Sequence, residues 1–171
     1  MKSVIVLAMH GAPPSDFPRD ELSEFMSLHA RLEAAPVSHS PMLEKRYEEL
    51  ERKMRDWPRH KENDPFFHSS QEIGAALSRA SGREVVLGFN EFCAPGLDEA
   101  LERAVSSGAE RVVVVTPMMT RGGEHSEKDI AQAVKKAQEK HPDVHIVYAW
   151  PFETSEVAGF LAGHIKKFEN A

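Results

Sequence analysis

The 171-residue chain carries 21 Lys and Arg against 27 Asp and Glu, a formal charge of −6, so nucleic acid is not an expected partner outside a local basic patch. With 41% hydrophobic and 28% charged residues it is too apolar for disorder throughout and long enough to bury a core as a single domain. The one cysteine, Cys93, excludes an intramolecular disulfide and any all-cysteine metal site built from this chain alone. That fits a reducing compartment, and the expectation is a cytoplasmic protein without membrane attachment, because the apolar stretch at the start ends at Met9.

Residues 4–9 form a short apolar run rich in β-branched side chains, the pattern of a strand buried on both faces. It ends in His10-Gly11. From 12 to 72 the composition changes: there is no glycine and Val37 is the one β-branched residue, so helices interrupted by prolines are predicted. One helix spans about 20–32 and stops before Pro36; Pro41 opens a second that runs to Trp57 and is ended by Pro58. Leu43, Tyr47, Leu50, Met54 and Trp57 alternate at spacings of four and three, a seam for one other helix, either within the chain or across a dimer. A third helix is predicted from Phe66 or Phe67 to Gly82.

The second half alternates strand and helix. Runs at 85–89, 112–115 and 144–148 read as buried strands, each followed by helical periodicity: Leu97, Leu101, Ala104; then Ile130, Val134, Ala137; then Val157, Phe160, Leu161, Ile165, Phe168. The predicted fold is α/β, a four-stranded parallel sheet flanked by helices, forming one domain over 1–171 with a helical insertion at about 12–64.

In such folds functional groups gather beyond the carboxyl ends of the strands. His10, Glu91, His125 and Glu153 each follow one predicted strand. Two imidazoles and a carboxylate from separate strand ends suit a divalent transition metal with open coordination positions, so His10, Glu91 and His125 are the candidate ligands. Each has an ordinary structural reading as well. His10-Gly11 can be a strand-end turn, Glu91 and Glu153 can be solvated carboxylates, and His125 can simply precede a helix with a capping box of Ser126 and Asp129. Arg121 shares its loop with Gly122 and Gly123 ahead of that helix, where a cation and free N–H groups suit a substrate carboxylate. Met118 and Met119 read as core. Among the remaining histidines (His29, His39, His60, His68, His141, His145, His164), His68 stands beside Phe66 and Phe67, which either anchor the core or contact a flat ligand.

Three stretches resemble the class II, ATP-independent chelatases of the sirohydrochlorin cobaltochelatase (CbiX-like) group: the first strand with His10-Gly11, residues 88–101 with Glu91 and the helix led by Pro95, and residues 108–130 with Gly122, Gly123, His125 and Asp129-Ile130. The resemblance covers residues 2–11 and about 67–165; residues 12–64 have no counterpart in the short family members. It implies insertion of Co2+, Fe2+ or Ni2+ into a tetrapyrrole such as sirohydrochlorin, with His10 and His125 binding the metal and Glu91 assisting. It also implies no nucleotide, in keeping with the lack of a phosphate-cradling glycine motif, and a homodimer. Two other classes compete. One is a metal or tetrapyrrole carrier using the same pocket without turnover. The other is a histidine-phosphatase-like hydrolase, whose chemistry wants an arginine where Met9 stands.

Overall fold

The structure, a computed structural model, describes residues 2–34 and 40–169. The stop expected before Pro36 and the side chain of His39 lie outside these residues. Strands β1 (Ser3–Met9), β2 (Glu84–Phe89), β3 (Arg111–Val115) and β4 (His145–Tyr148) are all parallel and pair in the order β2-β1-β3-β4. The α/β architecture with its parallel sheet is the one the alternating pattern predicts.

β1 lies between β2 and β3, and residues 4 to 9 are all buried. Because successive side chains point to opposite faces, Val4, Val6 and Ala8 join Val112, Val114 and Ile146 on one side. Helices α4 (Leu97–Ser106) and α5 (Ile130–Lys140) cover this side with Ala100, Leu101, Ile130 and Val134. On the other side Leu7 and Met9 join Phe89 and Cys93 beneath α3 (Pro65–Ser81), which contributes Phe67 and Leu77. Each buried aliphatic side chain contributes about 1.5–3 kcal/mol of transfer free energy, so the strand ends are fixed from both faces.

Helices α1 (Arg19–Ala34) and α2 (Pro41–Arg55) form a hairpin within the chain. Its seam buries Phe25 and Leu28 against Leu50 and Met54, flanked by Tyr47 and Trp57, so the four-three pattern is spent on an intramolecular partner. Arg46 grips Glu24 through two bonds of 2.8 and 2.6 Å across the hairpin, a surface pair worth at most about 1 kcal/mol. The third helix begins at Pro65, slightly before the predicted start, because Asp64 caps it by accepting the Phe67 N–H at 2.8 Å.

The last helix, α6 (Thr154–Ile165), departs from expectation in its packing. Its periodicity marks an apolar face, yet it has no buried residue, and Phe160, Leu161 and Ile165 are all more than half exposed, as is Phe168 just beyond it. Periodicity identifies a face that wants covering, not what covers it. Among the described residues no helix is long and apolar enough to cross a membrane.

Candidate metal centre

The β1 and β2 strand ends continue to pair beyond the sheet proper. The Asn90 N–H donates to Met9 O and the Glu91 N–H to His10 O, each at 2.9 Å, which lays His10 and Glu91 side by side. Gly11 makes this approach possible. Its φ is +104°, and a Cβ there would stand 2.0 Å from the Glu91 carbonyl oxygen. Phe92 is held at φ 59°, a left-handed conformation costing an L-residue of order 1–2 kcal/mol. A buried cluster supports it. The Arg59 guanidinium donates to Phe92 O and Asp64, and also to Ala12 O (2.7 Å) and Met54 O (2.9 Å). Behind this loop burial pushes the Cys93 thiol up from its ordinary pKa.

His125 arrives from β3. The chain leaves the sheet through Thr116, whose buried hydroxyl accepts the Met118 N–H at 3.2 Å, and re-enters helix through a π-helical turn, His125–Asp129, ahead of α5. The expected capping box does not form. Ser126 turns its hydroxyl to Gly123 O (3.1 Å), while Asp129, four residues on from His125 and on the same face, accepts the imidazole Nδ1–H at 2.7 Å. π turns of this kind are frequent at functional sites. Tyr148 of β4 donates to Ser126 O at 2.8 Å and fastens the turn to the sheet; burial pushes the Tyr148 phenol up to about 12.

His10, Glu91 and His125 each offer one ligand atom, and these atoms lie within 4.8 Å of one another. The imidazoles meet edge to face with centroids 4.5 Å apart, and His125 Nε2 stands 3.8 Å from Glu91 Oε1. Their tautomers follow from their partners. His10 Nδ1–H donates to Gly11 O at 2.9 Å as His125 Nδ1–H does to Asp129, so in the neutral form each ring presents a bare Nε2 lone pair. Ligand bonds of about 2.0–2.2 Å would put the three donors roughly 3–3.5 Å apart. The 3.8 Å between His125 Nε2 and Glu91 Oε1 is a few tenths of an ångström wider than that, so a small closure brings this pair to ligand spacing.

Glu91 also borders a cavity of about 410 Å³ whose far wall is the helical insertion. Phe25 of α1 stacks on Tyr47 of α2 (5.0 Å), and Phe92 links that stack to His10 with centroids 6.1 Å from Phe25 and 6.3 Å from His10. Glu51, Glu91, Asp98 and Asp129 line the same space with Arg55; Glu51 is bonded to Arg55 and Asp98 to Lys136, so the wall is acidic on balance with part of its charge offset.

Of the residues singled out in the sequence, His10, Glu91 and His125 come together and Glu153 does not: it is exposed at the start of α6. Arg121 is exposed on the His125 loop but lines a separate groove of about 360 Å³ with Met119, Phe152 and Leu161. Phe67 stacks on Phe89 in the core, and Phe67 and His68 are not among the residues lining the cavity; the aromatic wall comes instead from α1 and α2. Asp129 has a sequence signal as a partner of His125, its spacing of four; Arg55 and Phe92 have none, since their contacts form across the fold. Asp129→Ala is expected to weaken Co2+ binding by about tenfold, the low end for a residue that orients a ligating histidine, because Asp129 is half exposed; a Co2+ titration of the two proteins measures it.

The family model CbiX matches residues 67–162, more than half of the chain. The chain belongs to the CbiX family. It is 37% identical over 70 residues to the sirohydrochlorin cobaltochelatase of Priestia megaterium, which is 41% of this chain and 22% of that protein. To the sirohydrochlorin cobaltochelatase of Saccharolobus islandicus it is 35% identical over 81 residues, 44% of this chain and 62% of that one. The chain thus spans less than two thirds of these relatives. The crystal structure of a CbiX protein assigned to cobalamin (vitamin B12) biosynthesis from Marinobacter aquaeolei VT8 superposes with a TM-score of 0.55 at 17% identity, covering 98% of this chain and 96% of that chain. This last likeness is one of fold.

Proposed function

We propose that this CbiX-family chain inserts a divalent metal ion, Co2+, Fe2+ or Ni2+, into a tetrapyrrole such as sirohydrochlorin without a nucleotide. The observation that carries the reading is the convergence of His10, Glu91 and His125 beside a cavity with aromatic and acidic walls. Metalation exchanges two pyrrole protons for the ion. The two Nε2 lone pairs hold the incoming metal and Glu91 offsets its charge; as the ion passes to the macrocycle, Glu91 accepts one pyrrole proton and a vacated imidazole Nε2 the other, and both are then lost to water. The carboxylates of the cavity draw in the cation. In this reading Arg121, exposed on the loop that carries His125, supplies a cation for acidic substituents of the macrocycle.

The test is direct. Incubated with Co2+ or Fe2+ and sirohydrochlorin, the protein is expected to speed the absorbance change of metalation at least about a hundredfold. Equal rates with and without protein, across several macrocycles, overturn the proposal, and tight stoichiometric binding without acceleration selects the carrier reading.

The same reading includes a homodimer and a cytoplasmic setting, the latter in keeping with the free, buried Cys93. The exposed Phe160, Leu161 and Ile165 of α6, continuous with the groove at Met119 and Phe152, form an apolar surface suited to a second copy. Sedimentation is expected to show a dimer that Phe160→Ser with Leu161→Ser dissociates; a monomeric native protein at micromolar concentration overturns this part.

A further inference from the structure

We infer that the helical insertion fixes the Glu91 carboxylate for metal capture, and that Arg55 is the positioning residue through which it does so. The inference rests on the reading of His10, Glu91 and His125 as a metal centre. Arg55 is the last residue of α2 and borders the cavity without belonging to the triad. Its guanidinium spans the loop that carries Glu91: Nη2 donates to Asn90 O at 3.0 Å and Nη1 to Cys93 O at 2.9 Å. These carbonyls lie on either side of Glu91 and Phe92. The Arg55 carbonyl accepts the Ala94 N–H at 3.2 Å, adding a backbone contact at the same place.

The loop needs such a grip. Phe92 sits at positive φ, and the Cys93 N–H doubles back to the Glu91 carbonyl at 2.6 Å; Arg59 holds the middle of this tight turn at Phe92 O, and Arg55 holds its two ends. A shift of about 1 Å in such a loop is enough to spoil a catalytic geometry. Arg55 is itself held, with Nε donating to Glu51 at 3.0 Å. Most of its donors are therefore committed to protein oxygens. A planar guanidinium can bridge two carbonyls that a lysine ammonium, a point charge, cannot hold in the same geometry. The insertion, on this view, is a fixed brace behind a ligand rather than a cover over the substrate.

Arg55→Ala and Arg55→Lys, made in the full chain, test this with two readouts. Without metal, the amide hydrogens of Glu91 and Cys93 are expected to exchange at least about tenfold faster in both variants, while those of Val6 and Val114 in the sheet keep their native rates. With Co2+ alone as probe, affinity is expected to fall roughly 10- to 100-fold, and to fall no further when Arg55→Ala is added to Glu91→Gln. Unchanged exchange at Glu91 and Cys93 overturns the inference whatever the metal does. So does an equal loss of Co2+ affinity in the native and Glu91→Gln backgrounds, and so does full recovery by Arg55→Lys. If the native protein binds no Co2+ but exchange still accelerates, the brace stands and the metal-centre reading fails.

Discussion

Gly11→Ala is expected to cost roughly 3–5 kcal/mol of folding stability and to remove high-affinity Co2+ capture together with it. Two effects add at this position. The backbone is held at φ +104°, where an L-residue is strained by about 1–3 kcal/mol, and the new methyl would stand 2.0 Å from the Glu91 carbonyl oxygen. That oxygen is backbone and has no flexible end to swing away. Either the end of β1 or the loop after β2 must move by more than 1 Å, and the bonds that join them, Asn90 to Met9 and Glu91 to His10, lie at the point of movement. For a domain whose whole stability is about 5–15 kcal/mol, a loss of this size moves the urea midpoint far down. A variant that unfolds within about 1 kcal/mol of the native protein and binds Co2+ normally would show that the two loops are not locked through this contact.

The strands were legible because burial on both faces selects continuous β-branched runs, and the sheet departs from the predicted limits by a residue at most. The site was legible for a related reason: parallel topology sends every strand exit to one rim, so His10, Glu91 and His125 converge though they are distant in sequence. What stayed hidden depends on contacts that local pattern does not encode. Nothing in the local pattern marks Arg55 or Arg59, yet they reach 35 and 33 residues along the chain to the Asn90 and Phe92 carbonyls. Likewise Phe66 and Phe67 admit a core reading and a ligand reading from sequence, and Phe67 takes the core one against Phe89, whereas the aromatic wall forms where the hairpin brings Phe25 and Tyr47 to Phe92. Ser126 and Asp129 have the spacing of a capping box, but the π turn lets Asp129 bond the imidazole instead, and local spacing alone does not distinguish the two outcomes.

His125→Ala is expected to return metalation to the rate without protein while leaving folding stability within about 1 kcal/mol of native. The two halves of this expectation have separate causes. On the proposed reading the imidazole is one of three donors, and its loss leaves His10 and Glu91 alone to hold the ion. Its contribution to the fold is limited, because its hydrogen-bond partner Asp129 is 47% exposed and the turn keeps its Tyr148 anchor to Ser126. Urea denaturation and the metalation assay, run on the same preparation, separate the two. The variant also calibrates Asp129→Ala. An orienting carboxylate changes how often the ring presents Nε2 to the ion, whereas removing the ring removes the donor, so the order of effects must be His125 above Asp129. Equal losses from the two substitutions would mean that Asp129 itself meets the metal, and the centre would have to be redrawn with two carboxylates.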